Sequence, residues 1–424
     1  MILDEIVRAQ KHGELKGITS ICSAHPWVLK AAMQQEIPRN SESPRVLLIE
    51  ATCNQVNQFG GYTGMTPKDF VTYVRGIAKE NNFPFENIIL GGDHLGPNVW
   101  QNEPADSAMQ KSAEMIRDYV LAGFVKIHLD CSMRLNDDPR NALDVEVSAK
   151  RAAQLAKVAE AFRVDGTPSP RYVIGTEVPI PGGAHEHEDS VSVTKVEDAL
   201  QTIEVTREAF AREGIGSAWE RVIAAVVQPG VEFGDDFVLK YQPEKARKLS
   251  HFIESQSMIY EAHSTDYQTR EALGNLVRDH FAILKVGPGL TFAFREAVFA
   301  LAMMENELFP VDERSNIVSV LDDVMILHPE NWGKYYRGNE AEQAFKRKYS
   351  LSDRVRYYWT APQIQSALEK LLTHLKQKPI QFSLLSQFAP FQYQRIRRGE
   401  IENDPESILL DSIQTVLSEY EAVQ

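Results

Sequence analysis

Eight short runs of aliphatic and β-branched residues recur along the chain, each followed by a stretch long enough for a helix. They are GITSICS (17–23), RVLLIEAT (45–52), NIILGG (87–92), FVKIHLD (124–130), RYVIGTE (171–177), RVIAAVVQ (221–228), SMIYEA (257–262) and FAILKVG (281–287). Nearly unbroken apolar strands alternating with amphipathic segments predict a parallel sheet covered on both faces. Eight such units point to an α/β fold, a TIM (β/α)8 barrel over residues 1–308, ahead of an open doubly wound sheet. No GxGxxG follows the first run and no GxxxxGK[ST] occurs anywhere, which disfavours nucleotide-binding sheets and P-loop kinases. From 309 to 424 the rhythm stops, and the segment reads as a mostly helical C-terminal extension packed on the barrel. LSDRVRYYWTAPQIQSALEKLLTHLKQ (351–377) is its clearest helical piece. Its repeated Tyr, Trp and Arg suit packing first, with lining a pocket or meeting another chain as alternatives.

Charge narrows the partners. A formal net charge of −14 disfavours nucleic acid and anionic membrane as ligands. No stretch approaches the ~20 apolar residues of a transmembrane helix, and the first residues lack the apolar core of a signal peptide. Three cysteines without a CxxC pair fit a reducing, cytoplasmic setting.

In such a barrel the carboxyl ends of the strands converge on one face. Those ends carry Glu50, Asn54 and Gln55, then Asp93–His94, then Lys126, His128, Asp130 and Ser132, then Glu177 and Gln228. Glu261, His263, Asp266 and Lys285 complete the ring. Alternation puts Lys126, His128 and Asp130 on one side of their strand, and Glu261 and His263 on one side of theirs. Buried charges of this kind must pair, bind metal or meet substrate. An internal salt-bridge network is the bland reading. Histidines and carboxylates from different strands suit a divalent metal with open positions better. Such an ion polarises a carbonyl while a carboxylate moves protons.

The segments IEATCNQVNQFGGYTGMTP, ILGGDHLGPN, KIHLDCSM, YVIGTEVPIPGGAHE, VVQPGVEF, EAHSTDYQT, FAILKVGP and SLSDRVRYYW resemble the GatZ/KbaZ family across the whole chain. That family comprises non-catalytic subunits of D-tagatose-1,6-bisphosphate aldolase and members linked to C4 epimerisation of tagatose or tagatose 6-phosphate. A more distant similarity is to the zinc-dependent class II aldolases, also TIM barrels. It implies that Asp93 carries a proton and that His94 and His263 bind metal. It also matches Asp130 and Ser132 to an Asp-x-Ser motif, and Glu177 to a Glu after the fifth strand. Two departures stand out. A Gln228-Pro229-Gly230 turn replaces a metal-binding His, and HSTDY, with Asp266, replaces a glycine-rich phosphate loop. GGYTGMTP (60–67) is either a substitute anion site or a plain turn into a helix.

The resulting expectation is metal-dependent aldol-type chemistry on a ketohexose or its phosphate, namely C4 epimerisation by C3–C4 cleavage and re-addition. Asp93, Glu177 and Asp130 are the catalytic candidates, and His94, His263 and Glu177 the metal ligands. Zinc is the first choice, with manganese or cobalt as alternatives. Asn54, Gln55, Lys126, His128, Ser132, Gln228, Asp266 and Lys285 are the substrate-binding candidates. A Schiff base on Lys126 or Lys285 is the mechanistic rival. The alternative function is a non-catalytic accessory subunit that stabilises a catalytic class II aldolase partner. Homo-oligomers are compatible with either reading.

Overall fold

A computed structural model of the chain describes residues 1–37, 45–140, 143–175, 191–377 and 379–423. The eight runs form β1 (Ile18–Cys22), β2 (Leu47–Thr52), β3 (Ile88–Leu95), β4 (Lys126–Asp130), β5 (Arg171–Gly175), β6 (Val222–Val226), β7 (Ile259–Ala262) and β8 (Phe281–Val286). They close into one all-parallel barrel in sequence order, β8 returning to pair with β1. A two-stranded antiparallel ribbon, Glu232–Phe233 with Val238–Leu239, is inserted after β6.

The period of two along each strand sorts side chains between two environments. Ile49 and Ala51 of β2, Ile127 and Leu129 of β4, and Tyr260 of β7 join the large core beneath the surrounding helices. Ile18, Leu48, Val173, Ile259 and Ile283 form a second cluster, joined by Leu3 and Ile6 of the first helix, Ile2–Lys11. That helix closes the amino end of the barrel with apolar side chains, so the interior changes from hydrocarbon to ionic groups going up the strands. Cys22, Cys53 and Cys131 are free thiols. No helix among the described residues is long and apolar enough to cross a membrane.

The helices start and stop where local chemistry directs. Helix Pro67–Glu80 has Pro67 in its first turn and a capping box between Thr66 and Asp69. Helix Ala105–Ala122 ends at Gly123 with φ 97°. The capping box settles GGYTGMTP as a turn into a helix. Thr66 and Asp69 already satisfy end groups that an anion would need.

After helix Pro288–Leu308 come helices Ile317–Leu327, Glu340–Tyr349, Pro362–Lys376, Phe382–Phe388, Pro390–Arg397 and Pro405–Glu419. Residues 351–361 depart from the helical expectation and run as a strap with a single 3₁₀ turn, Arg354–Tyr357. Asp353 sits in the left-handed region at φ 45°, and Pro362 disfavours helix in the residue before it. Hydrogen bonds fasten this extension to the loop after β7. Tyr267 Oη donates to the Leu351 carbonyl at 2.6 Å, and Tyr420 Oη donates to the Thr265 carbonyl at 2.9 Å. Thr265 Oγ1 in turn donates to the Lys285 carbonyl on β8 at 2.5 Å.

Gly96, just past β3, has no room for a methyl group: a Cβ there would lie 1.8 Å from the Asp130 carbonyl oxygen. Gly96→Ala should therefore lower the unfolding free energy by roughly 2–4 kcal/mol. Gly274→Ala, in a helix with nothing within 4 Å of the new methyl, should be neutral or stabilising by up to about 1 kcal/mol. Urea titrations of both variants check the contrast, and equal midpoints would refute it.

Candidate functional site

The ionic layer begins in the register of three neighbouring strands. Glu50 on β2 lies beside Gly91 on β3, and Gly91 beside Lys126 on β4. A Cβ at Gly91 would come within 2.7 Å of Glu50 Cγ, so the glycine leaves space for the Glu50 side chain. Lys126 Nζ then lies 2.7 Å from Glu50 Oε1 and 2.6 Å from Glu261 Oε2, all three side chains fully buried. Ser20 Oγ donates to Glu50 Oε1 at 2.5 Å. Burial alone would depress the Lys126 pKa, but Glu261 and Glu50 outweigh it and hold the ammonium above its ordinary value. Lys285 reaches Glu50 Oε2 at 3.3 Å and Glu261 Oε1 at 3.6 Å, and contacts Asp93 Oδ1. Burial again opposes its charge, and Asp93 again prevails.

Above this layer stand three imidazoles. Adjacent strand residues ordinarily face opposite ways, yet Asp93 and His94 both reach the barrel axis. The β3–β4 register shifts between Gly92 and Leu95, so Asp93 and His94 together oppose His128. His94 takes φ 49° in this bulge, a conformation that costs a non-glycine residue about 1–2 kcal/mol. Bulges of this kind re-aim side chains beside functional sites. The ring centroids of His94, His128 and His263 form a near-equilateral triangle with sides of 5.0, 5.1 and 4.8 Å.

Each imidazole has a carboxylate neighbour. His94 Nδ1 is 2.8 Å from Asp130 Oδ2, which places Asp130 behind the ring as its positioning group. Ser132 Oγ and N in turn donate to Asp130 Oδ1 at 2.6 and 3.1 Å. His128 Nδ1 lies 3.0 Å from Asp93 Oδ1, and His263 Nε2 lies 2.9 Å from Glu261 Oε1. Burial pulls the His94 pKa down, but Asp93 and Asp130 raise it above its ordinary value. Burial and the neighbouring Lys285 push His263 down to about 3. Burial would raise the pKa of Asp93, yet His94 and Lys285 hold it well below the usual carboxylate range.

The donor set fits a divalent cation on two grounds. His128 Nε2 is buried and has no hydrogen-bond partner among the described residues, which leaves that ring nitrogen available to a cation. Donor atoms of Asp93, His94, His128 and His263 lie within 4.8 Å of one another. Charge agrees: four buried carboxyl groups (Glu50, Asp93, Asp130, Glu261) face two buried ammonium groups (Lys126, Lys285). Counting these carboxylates and ammonium groups alone, that leaves two negative charges in excess, which a bound cation would offset.

A cavity of about 440 Å³ opens over this centre, with Asp93, His94, His263 and Lys285 on its wall. Asn54, Gln55 and Asp266 also line it. Asp266 Oδ1, however, accepts the N–H groups of Gly287 and Gly289 at 3.0 and 2.7 Å, where helix Pro288–Leu308 begins. Burial lifts its pKa to about 6.

Other expected contacts are displaced. Lys126 is sealed between its two carboxylates, and His128 is equally buried, so neither reaches the cavity as a substrate group. His128 belongs with the candidate metal ligands instead. Ser132 and Asp130 lie behind His94 and off the cavity wall. Gln228 Oε1 accepts from the N–H groups of Gly230 and Val231 and stabilises its own turn, away from the cavity. Glu177 lies outside the described residues.

Cavity residues that strand-end reasoning missed come from the strap, above all Arg356, Tyr357 and Trp359, and from His25 after β1. The RYYW cluster was the only signal for the strap. His128 was detectable from its place between Lys126 and Asp130.

Across residues 3–424 the chain matches the family of GatZ/KbaZ-like D-tagatose-1,6-bisphosphate aldolase subunits. It is 52% identical over 419 residues to the D-tagatose-1,6-bisphosphate aldolase subunit GatZ of Salmonella dublin, covering 99% of this chain and 98% of that relative. GatZ of Klebsiella pneumoniae subsp. pneumoniae gives the same identity and coverage. A crystal structure from Sinorhizobium meliloti 1021, described as a probable tagatose 6 phosphate kinase, superimposes with a TM-score of 0.88. The two are 47% identical, over 96% of this chain and 100% of that one.

Lys126→Met should leave Glu50 and Glu261 short of a counter-charge and lower stability by about 3–5 kcal/mol, the usual result of breaking a buried pair from one side. Denaturant unfolding at neutral pH measures it. A loss below about 1 kcal/mol would mean that Lys285 alone suffices for both carboxylates.

Proposed function

Because the chain belongs to the GatZ/KbaZ-like family of D-tagatose-1,6-bisphosphate aldolase subunits, we propose that its barrel mouth is a metal-assisted ketose site. Its reaction would be aldol-type cleavage and re-addition, inverting C4 of a ketohexose or its phosphate. The observation that carries this reading is the imidazole triangle with an orphaned His128 Nε2, set at the floor of a sugar-sized cavity. His94, His128 and His263 would hold the ion, with Asp93 alongside and zinc as the first choice. When bound, the ion would supply Lewis-acid polarisation of a substrate carbonyl.

The chain's own groups do the rest. Asp93, kept ionised by Lys285, accepts the proton of a substrate hydroxyl. Lys285 directs its ammonium at the same spot and stabilises negative charge on a substrate oxygen. Asn54 on the cavity wall offers amide hydrogen bonds to further hydroxyls. Asp130 orients His94 through Nδ1. A Schiff base is disfavoured, because Lys126 is sealed and Lys285 is held protonated by its carboxylates.

The names of the relatives support a second reading more directly. They describe a subunit of an aldolase, so this chain would bind and stabilise a separate catalytic aldolase chain and turn over nothing itself. The three free thiols suit the cytoplasmic setting that either role requires.

The isolated chain, purified without chelator, should carry about one divalent ion, and His128→Ala should lower metal affinity at least roughly 10-fold. Elemental analysis reads this without reference to activity. Asp93→Asn should slow interconversion of C4-epimeric ketoses or their phosphates by roughly 10²–10⁴. Metal-loaded protein that turns over no ketose, yet raises the activity of a separately purified aldolase chain, would establish the accessory reading instead.

A further inference from the structure

We infer that Arg356, contributed by the C-terminal strap, seats a terminal oxyanion of the substrate, either a phosphate ester or a carboxylate. The inference rests on the proposal that the cavity binds a ketose, and it adds the group that selects among ketoses.

The first observation is a count of compensated charges around the cavity. Lys285 is neutralised by Asp93, Glu50 and Glu261, and His94 lies against Asp130. Arg356 lines the same cavity and, among the described residues, makes no ion pair with a carboxylate. Its Nη1 donates to the carbonyls of Ser352 and Asp353 at 2.5 and 3.0 Å, and its Nη2 donates to Tyr357 Oη at 2.9 Å. These acceptors are neutral: they fix the guanidinium in place without a direct ion pair, and the carboxyls of Asp353 and Asp266 act on it only through space. Three of the five N–H donors of an arginine are thereby used. Nε–H and the second Nη2–H remain for a ligand, and such a fork suits a planar or tetrahedral oxyanion.

The second observation concerns two helix starts beside glycine-rich turns. Backbone N–H groups at a helix start commonly bind phosphate, and two helix starts border this cavity beside glycine-rich turns. At one, Asp266 fills the seat by taking the N–H groups of Gly287 and Gly289. At the other, Thr66 and Asp69 cap each other's backbone. Neither of these two seats is open to an anion, whereas Arg356 lies on the cavity wall with donors to spare.

The strap is also built to hold this arginine still. Asp353 accepts from Thr291 Oγ1 at 2.5 Å, and Tyr267 ties Leu351 down. Arg356 further lies over the Tyr357 ring, 4.5 Å from its centroid. A guanidinium already ordered loses little freedom when it engages an anion.

Calorimetric titration of the metal-loaded full chain tests this with D-tagatose, D-tagatose 6-phosphate and the corresponding keto-uronate. The wild type should prefer one of the two anionic ketoses to the free sugar, and the preferred one identifies the oxyanion. Arg356→Gln should shrink that preference by roughly 10- to 100-fold, the range for hydrogen bonds to a charged group. Arg356→Lys should keep part of it, having the charge without the fork. In the wild type, inorganic phosphate should compete with the phosphate ester more strongly than with the free sugar, a measurement that does not depend on any variant folding. A wild type that does not distinguish anionic from neutral ketose, or an Arg356→Gln variant with an unchanged ratio, overturns the inference. Because binding is read apart from turnover, Arg356-dependent selectivity without catalysis would leave this inference standing and defeat the catalytic proposal. Turnover with Arg356-independent selectivity would do the reverse.

Discussion

Two ammonium groups buried among carboxylates set the terms for everything above them in this barrel. Lys126, bridging Glu50 and Glu261, and Lys285, touching Asp93, form a charged floor inside a sheet whose lower half is hydrocarbon. Such a floor has no value as a source of stability, since apolar residues of equal volume usually serve as well or better. Its presence therefore points to the site it supports. It holds Asp93 and Glu261 ionised, and those two carboxylates face His128 and His263. The imidazoles take their placement from groups that the lysines keep charged.

Geometry on the next level depends on one irregularity. A regular β3 would send Asp93 and His94 to opposite faces, one into the barrel and one under the helices. The bulge lets both face inward, at the expense of a left-handed residue and a broken ladder between Gly92 and Leu95. Strain of this sort persists where the surroundings over-determine it. Here the Asp130 bond to His94 and the close passage of Gly96 beside the Asp130 carbonyl supply that constraint.

How much of this could be read from the residues alone follows from which interactions are local. The strands were legible because a parallel sheet covered on both faces needs near-continuous apolar runs; seven lie within their runs and β3 extends three residues past its own. The side-chain alternation of Lys126, His128 and Asp130 was legible for the same reason. Their division of labour was not, because it depends on partners from other strands: Glu50 and Glu261 for Lys126, and the bulged Asp93–His94 pair for His128. Gln228 looked like a strand-end ligand, but its amide closes its own turn. The strap misled most. Its apolar and aromatic spacing passes for a helix, while the left-handed Asp353 and the following Pro362 keep it extended. Arg356 reaches the cavity only because the extension folds back across the barrel mouth.

That fold-back has a consequence for how the protein comes into being. The loop after β7 is tied to Leu351 through Tyr267 and to Tyr420 through Thr265, and Thr265 also holds β8 beside Lys285. A ribosome releases the barrel strands more than a hundred residues before it releases Tyr420. During that interval the barrel mouth still lacks the strap and the final clasp. Completion of the cavity is thus a late event in synthesis, and a chain interrupted before its last helix would lack the Tyr420 clasp.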